Sequence, residues 1–304
     1  MDDLEQLQQR LSQPLPEIPT WYLYDPVGIR LFEQITQLPE YYLARIETAL
    51  LAKHGGPLVR QLGVRRLAEL GSGSSQKIVP LLNALPQGSY TLFDVAGDAV
   101  RSLAQQLAAQ YPKLSVQALQ GNFYTDLHLL GPGGGPRLML LLGNTFANLA
   151  SDQQHRFLDQ VRAQMAPEDA FLIGVDVVKD PAIIEAAYND VQGVSAAFTL
   201  NALTVVNRRL GTTFVLEDWQ YWAFYDPNHH QMDVRVRAVR DCVVQVGDKA
   251  MSFAKGSSIR VEVSTRYTRA SLQALVAPNG FVVDRWLTDA DRWFALAVLR
   301  PESA

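Results

Sequence analysis

Residues 67–77 read LAELGSGSSQK, and the class of fold depends on what the two glycines at its centre are for. An apolar run ends near Glu69, the chain passes through Gly71, Ser72 and Gly73, and a helical pattern runs from about Ser75 to Leu85. A strand that feeds a helix through a glycine turn is a ligand-binding corner of an α/β sheet, because ligands gather outside the carboxyl ends of such strands. A dinucleotide site asks for G-x-G-x-x-G, whose third glycine lets the helix pack close; here that position holds Gln76. Glu69 would also set a like charge near a pyrophosphate. S-adenosylmethionine has no phosphate and carries a sulfonium and an ammonium, so a glycine turn beside carboxylates suits it better.

Two further strand ends carry matching chemistry. Asp94 closes the run YTLFDV about 20 residues later, where a carboxylate can accept from both hydroxyls of a ribose. GNF at 121–123 follows the next strand and offers Phe123 and the amide of Asn122 to an adenine. Taken singly, the glycines read as a backbone turn and Asp94 as a cap. Three successive strand ends of this kind point to a class I methyltransferase.

From about residue 45 to 180, short apolar runs such as LMLLLG at 138–143 and AFLIGVDVV alternate with helical patterns, which implies a doubly wound parallel sheet. After about residue 205 the texture turns to strands without long helices. Arg235, Arg237 and Arg240 alternate with Val234, Val236 and Val239, the pattern of an antiparallel sheet with one wet face. The tail GFVVDRWLTDADRWFALAVLR reads as a hairpin turning near Asp289–Asp291 that returns to the first sheet. GPGGGP at 131–136 reads as a surface loop.

The 304 residues are 48% hydrophobic with a formal net charge of −4, enough for one large core or two modest ones and without a basic stripe for nucleic acid. The single cysteine, Cys242, cannot form an internal disulfide, and MDDLEQLQQR is no signal peptide, so a cytoplasmic protein is expected. No apolar run reaches the roughly 20 residues of a membrane span. His229 and His230 stand without a Cys/His cluster and read as loop residues, so no metal is expected. The expected partner is a small molecule, and the expected state a monomer.

Longer blocks carry a more specific signal: YDPVGIRLFEQITQLPEYY at 24–42, ELGSGSSQK at 69–77, GNTFANL at 143–149, GVDVVKD at 174–180, AAYNDVQGVSAAFTLNAL at 186–203 and IRVEVSTRY at 259–267. Through them the chain resembles the histidine-specific methyltransferase family, whose best-known members trimethylate the α-amino nitrogen of L-histidine to hercynine in ergothioneine biosynthesis. The resemblance implies a Rossmann-like methyltransferase domain over 45–178 plus 267–304. It also implies a smaller α+β substrate-binding domain over 1–44 plus 179–266, with the amino-acid pocket between the two. S-adenosylmethionine is the implied donor, held by Glu69, Gly71, Ser72, Gly73, Lys77, Asp94, Asn122 and Phe123. Tyr41 and Asn148 match residues around the reacting amino group, Tyr24 and Tyr188 the carboxylate side, Glu262 and Ser264 the pair that receives the imidazole, and Phe32 the wall.

Several positions depart from the family pattern. Asn122 replaces an aspartate, Ser195 a threonine, and Val234 a methionine that packs near the imidazole, which widens the pocket. Tyr221 stands where histidine is frequent, and Asn144, Phe146 and Ala147 alter the wall beside Asn148. Alternation alone, with Glu262 between Val261 and Val263, would put this carboxylate on a solvated face. Histidine is therefore the first acceptor to consider. The alternatives are a paralogue acting on another amino acid, such as tryptophan or a thiolated histidine, and a binding protein without turnover.

Overall fold

The computed structural model describes residues 2–72, 76–85, 87–131 and 135–302. Gly73, the start of the helix expected from Ser75, and residues 132–134 of the glycine-rich loop lie outside the described residues. The chain opens with helices α1 (Asp3–Leu11), α2 (Pro26–Gln37) and α3 (Tyr42–Gln61). There follow β1 (Arg66–Leu70), α4 (Val79–Ala84), β2 (Gly88–Asp94), α5 (Gly97–Gln110), β3 (Leu114–Gln120), β4 (Arg137–Leu141), α6 (Ser151–Ala163) and β5 (Ala170–Asp176). Helices α7 (Pro181–Ala186) and α8 (Val194–Leu210) lead into β6 (Trp219–Asp226), β7 (Gln231–Ala238), β8 (Cys242–Val246), β9 (Lys249–Phe253) and β10 (Ser258–Thr265). Helix α9 (Arg269–Val276) and the strands β11 (Phe281–Thr288) and β12 (Phe294–Pro301) end the chain.

The chain divides into two compact units, one of residues 1–42 and 179–265, the other of 43–178 and 266–304. The second unit holds a seven-stranded sheet in the order β11-β12-β5-β4-β1-β2-β3. The five consecutive strands from β5 to the edge strand β3 run parallel, and β12 joins β5 antiparallel. This is the class I methyltransferase order, and the mixed α/β reading of the sequence holds. Every residue of β4 and β5 is buried, as expected where helices cover both faces of a parallel sheet. Phe93, Met139, Leu141, Phe157, Phe171 and Ile173 lie in its core. The closing hairpin turns at Asp289, whose Oδ1 accepts from the N–H groups of Trp293 and Phe294 at 2.9 Å. The strand order reverses beside β1, between its neighbours β2 and β4, so the loops after β1 and β4 flank the switch point where ligands bind.

The first unit is built on the antiparallel sheet β10-β7-β6, with α8 against β6 and β7. A small hairpin, β8–β9, turns through Gly247 at φ +61°, and Gln8 of α1 donates to Val246 O at 2.7 Å and Asp248 Oδ1 at 3.0 Å. Arg235 and Arg237 do not simply face water: their guanidinium groups lie 5.1–5.6 Å from the ring of Trp222, and Arg235 also lies 5.2 Å from Phe224. Such stacking covers the aromatic faces, while the Arg235 guanidinium is also paired with Asp233.

A buried carboxylate, Asp25, ties the start of α2 to α8. Asp25 caps α2 ahead of Pro26, accepting from Val27 N at 3.1 Å and Gly28 N at 2.8 Å. It also accepts from Asn201 Nδ2 and Arg208 Nη2 on α8, both at 2.8 Å. Gly28 is needed for proximity, because a Cβ there would lie 1.7 Å from Leu23 O. Burial works against ionisation of Asp25, but the hydrogen bonds from Gly28, Arg208 and Asn201 outweigh it and hold its pKa down to about 2. The stabilisation is therefore present above the ordinary carboxylate value and lost as pH falls through about 2. Asp25→Asn should cost about 2 kcal/mol at pH 7. In denaturant titrations its deficit against wild type should shrink between pH 4 and 2; a deficit independent of pH would contradict the charge-based account.

Candidate active site

One pocket of the first unit gathers Phe32 and Ile35 of α2, Tyr41, Ala187 and Tyr188 after α7, Ser195, Phe198 and Thr199 of α8, and Tyr221, Val234 and Glu262 of the sheet. Its enclosed space is small, about 30 Å³, and it opens to solvent. Six of the expected residues thus meet: Phe32, Tyr41, Tyr188, Ser195, Val234 and Glu262. The wall is aromatic, with Phe32 ring centroids 5.8 Å from Phe198 and 6.3 Å from Tyr41. Tyr24 packs edge-on to both Phe32 and Phe198, at 5.9 and 5.6 Å, behind that wall and 41% exposed. Ser264 is fully buried two residues beyond Glu262 on β10 and does not line the pocket.

Glu262 reaches the pocket through a β-bulge. The β10–β7 register pairs Arg260 with Arg235, then Glu262 with Val234, leaving Val261 as an extra residue. Directly opposed residues share a face, so Glu262 stands with Val234, not with Asp233, Arg235 and Arg260 on the polar face. Strict alternation would have placed it on that other face. On the polar face Asp233, 2% exposed, takes hydrogen bonds from Arg235 and Arg260, which overcome the effect of burial and hold its pKa low.

Two further residues set the pocket's shape. Asp190 accepts from Val194 N and Ser195 N, each at 2.8 Å, fixing the start of α8 and the Ser195 hydroxyl with it. Tyr221 donates to Tyr188 O at 2.7 Å, and burial, then the nearby Glu262, push its phenol pKa up, so it stays a donor. Sequence reading missed Asp190; its signal was the pattern D-x-x-G-V-S, an acidic residue just before a helix start.

The second unit carries the strand-end corner. Gly71 turns at φ +75°, its N–H donating to Phe93 O at 2.9 Å, and a Cβ there would meet only Phe123 Cε1, at 3.5 Å. The bare backbone of the turn and the Phe123 ring are therefore neighbours. Ser72 is buried and structural: its hydroxyl donates to Glu69 O at 2.9 Å and accepts from Phe93 N at 3.2 Å. Asp94 ends β2 half-buried, with Oδ1 accepting from Ala96 N at 2.9 Å. Asn122 uses its carbonyl to accept from Tyr124 N at 2.9 Å, which shapes the loop bearing Phe123. Lys77 is paired with the buried Glu47 at 2.7 Å, so it brings no net positive charge for a phosphate. An aromatic face, a bare turn and a carboxylate at the next strand end fit the chemistry of S-adenosylmethionine.

Asn148 ends a 3-10 turn, Thr145–Asn148, after β4 in the same unit. Asn144 has a backbone role there: it sits at φ +60°, which asparagine tolerates, and its Oδ1 accepts from Asp176 N at 2.9 Å. His229 and His230 hydrogen-bond to Asp226 and Tyr225 around a hairpin turn. Among the described residues no group of three or more His, Cys, Asp or Glu could hold a metal ion, and no helix is long and apolar enough to cross a membrane.

This sheet order and corner define a class I methyltransferase. A putative methyltransferase from Thermobifida fusca shares the fold, with a TM-score of 0.52 at 13% identity over 96% of this chain and 97% of that one. More narrowly, a profile of the histidine-specific, S-adenosylmethionine-dependent methyltransferases matches residues 3–301, and the chain belongs to that family. It is 34% identical to a histidine N-alpha-methyltransferase of Mycolicibacterium smegmatis over 92% of this chain and 88% of the relative. The corresponding Mycobacterium tuberculosis enzyme is 35% identical over 95% and 91%.

Glu69 gives the corner a titration. Its carboxylate is 5% exposed and accepts from the buried Tyr90 hydroxyl; burial raises its pKa to about 7, with Tyr90 and Lys77 pulling the other way. The folded protein holds this proton where the unfolded chain has lost it, so stability should fall as pH rises from about 4.5 to about 7 and level off above. Glu69→Gln should remove about 3 kcal/mol of that decline. Unfolding curves at pH 5 and 8 check it: equal pH dependence in wild type and variant would contradict the assignment.

Proposed function

We propose that the protein transfers methyl groups from S-adenosylmethionine to the α-amino nitrogen of L-histidine, three in succession, giving hercynine. The observation that carries this is the position of Glu262 on the pocket face of β10, among aromatic side chains, in a chain so similar to enzymes named for histidine. The coarser conclusion, an amino-acid N-methyltransferase with a small-molecule acceptor, follows from the family. Action as a monomer in the cytoplasm completes the proposal.

The donor supplies an electrophilic methyl on a sulfonium. The chain's own task is to hold the acceptor nitrogen, without its proton, in line with that methyl. Tyr41 and Asn148 orient the nitrogen through neutral hydrogen bonds, and a proton on the incoming ammonium leaves to solvent. Tyr188, Tyr24 and the buried Ser195 hydroxyl lie on the carboxylate side. Glu262, with Ser264 next along its face, accepts a ring N–H of the imidazole. A site built to hydrogen-bond a ring N–H discriminates strongly against an acceptor that lacks one.

A second reading rests on Val234. It is 2% exposed and directly opposite Glu262 in the register, and it leaves more room than a methionine would. A larger acceptor that keeps a ring N–H, tryptophan or a thiolated histidine, then fits the same machinery.

Mass spectrometry of products from a mixture of amino acids, including a thiolated histidine, separates the two readings. A histidine heavier by three methyl groups is expected; methylation confined to another amino acid would transfer the specificity to that acceptor. Asp94→Ala should weaken S-adenosylhomocysteine binding at least about tenfold in calorimetry, with the melting temperature nearly unchanged. Unchanged affinity would remove Asp94 from the ribose. Glu262→Ala should raise the KM for histidine about tenfold or more with a smaller effect on kcat. A loss confined to kcat would give Glu262 a role in the chemical step instead.

A further inference from the structure

Glu47 has no part in the chemistry above, yet its carboxylate links the segments that follow β1 and β4, the two strands at the switch point of the sheet. It projects from α3 with a side chain 1% exposed. Oε2 accepts from Lys77 Nζ at 2.7 Å, and Oε1 accepts from the N–H of Gly143 at 2.7 Å. A Cβ on Gly174 of β5 would lie 2.0 Å from Oε1. Gly174 has no positive φ, so its missing side chain is not a backbone requirement; it makes room for this carboxylate.

The partners matter because of where they lie. Lys77 follows the glycine turn after β1, and Gly143, at φ +76°, opens the 143–148 segment after β4 that ends in Asn148. Strands β1 and β4 are paired neighbours. One carboxylate therefore ties the donor corner to the loop bearing Asn148, with a charge-assisted bond to each side. A solvated lysine or an apolar residue at position 47 would leave both loops to find their positions independently.

We propose that Glu47 is a positioning residue that couples the two ligands: ordering the Lys77 end around the donor fixes Gly143, and through it Asn148, for the amino acid. This rests on the reading that Lys77 and Asn148 belong to the donor and acceptor sites. Coupling of this kind is reciprocal, so each ligand tightens the other by the same factor. A carboxylate that only stabilises the fold would change the melting temperature and leave that factor alone.

The test is calorimetric titration of the full chain with S-adenosylhomocysteine, with and without saturating L-histidine, together with the ligand-free melting temperature. Wild type should bind S-adenosylhomocysteine about fivefold or more tightly when histidine is present. In Glu47→Gln, whose amide can accept from only one of the two donors at its single oxygen, that ratio should fall close to one. Gly174→Ala leaves Glu47 in place chemically but displaces its carboxylate, and should lower the ratio in the same way, which keeps the test open if Glu47→Gln folds poorly. A ratio retained in both folded variants, or absent from wild type, overturns the proposal. Failure of the underlying reading looks different: Asp94→Ala and Glu262→Ala would then leave the individual affinities unchanged.

Discussion

The extra residue in β10 between Arg260 and Glu262 decides which side chains of the antiparallel sheet meet the aromatic pocket. A strand exposes alternate residues to opposite faces, so one insertion exchanges the faces for everything beyond it. Before the bulge, Ile259 faces inward with Val236 while Arg260 joins Asp233 outside. Beyond it, Glu262 and Ser264 stand inward, opposite Val234 and Met232. Without the insertion, the inward positions would go to Val261, Val263 and Thr265, and the Glu262 carboxylate would face away from the pocket. The ion-pair cluster of Asp233, Arg235 and Arg260 holds the opposite face in register and leaves the bulge little freedom to migrate.

The other unit places its charges by a different logic. Glu69, Asp94 and Glu47 all lie near the carboxyl ends of the parallel strands, and three ionised carboxylates so close would repel. Each is handled separately. Glu69 is buried under the turn and bound by Tyr90, which leaves it near neutrality in the middle of its titration. Glu47 is matched by Lys77. Asp94 alone is half-exposed at a strand end, where a ribose can reach it. The corner thus keeps an acidic character suited to a cationic donor without the cost of an unpaired buried charge.

The fold was legible because its signals are local and redundant. LMLLLG and AFLIGVD became the fully buried β4 and β5, and the closing hairpin turns at the aspartate cluster that suggested it. The expected helix after the glycine turn appears, where described, as a short 3-10 turn, Gln76–Ile78, and then α4. The site was less legible, because what arranges it is non-local. A bulge leaves no composition signal, so alternation mis-set Glu262, and only the resemblance to a family drew attention to it. Glu47 lies in the middle of an ordinary helix, and neither Lys77 nor Gly143 is near it in sequence. Asn144 looked like a change in the wall and is instead a left-handed backbone position whose side chain caps Asp176.

The floor of the pocket separates two properties that are easily confused. Across the sheet, one row reads Ala223, Val234, Glu262, flanked by the rows Tyr221, Val236, Ile259 and Tyr225, Met232, Ser264. The outer rows carry the tyrosines 221 and 225 with Ile259 and Met232, whereas Ala223 and Val234 are small beside Glu262. On the proposed function, the size of ring that can lie beside Glu262 is therefore governed by Val234, which lines the pocket, and the requirement for a ring N–H by Glu262. A thiol-bearing ring can be admitted at Val234 without relaxing the second demand. Imidazole, thioimidazole and indole all carry that N–H, and a phenyl ring does not. Variation at Val234 therefore shifts the choice among nitrogen heterocycles, while entry of phenylalanine or leucine would require losing Glu262 itself.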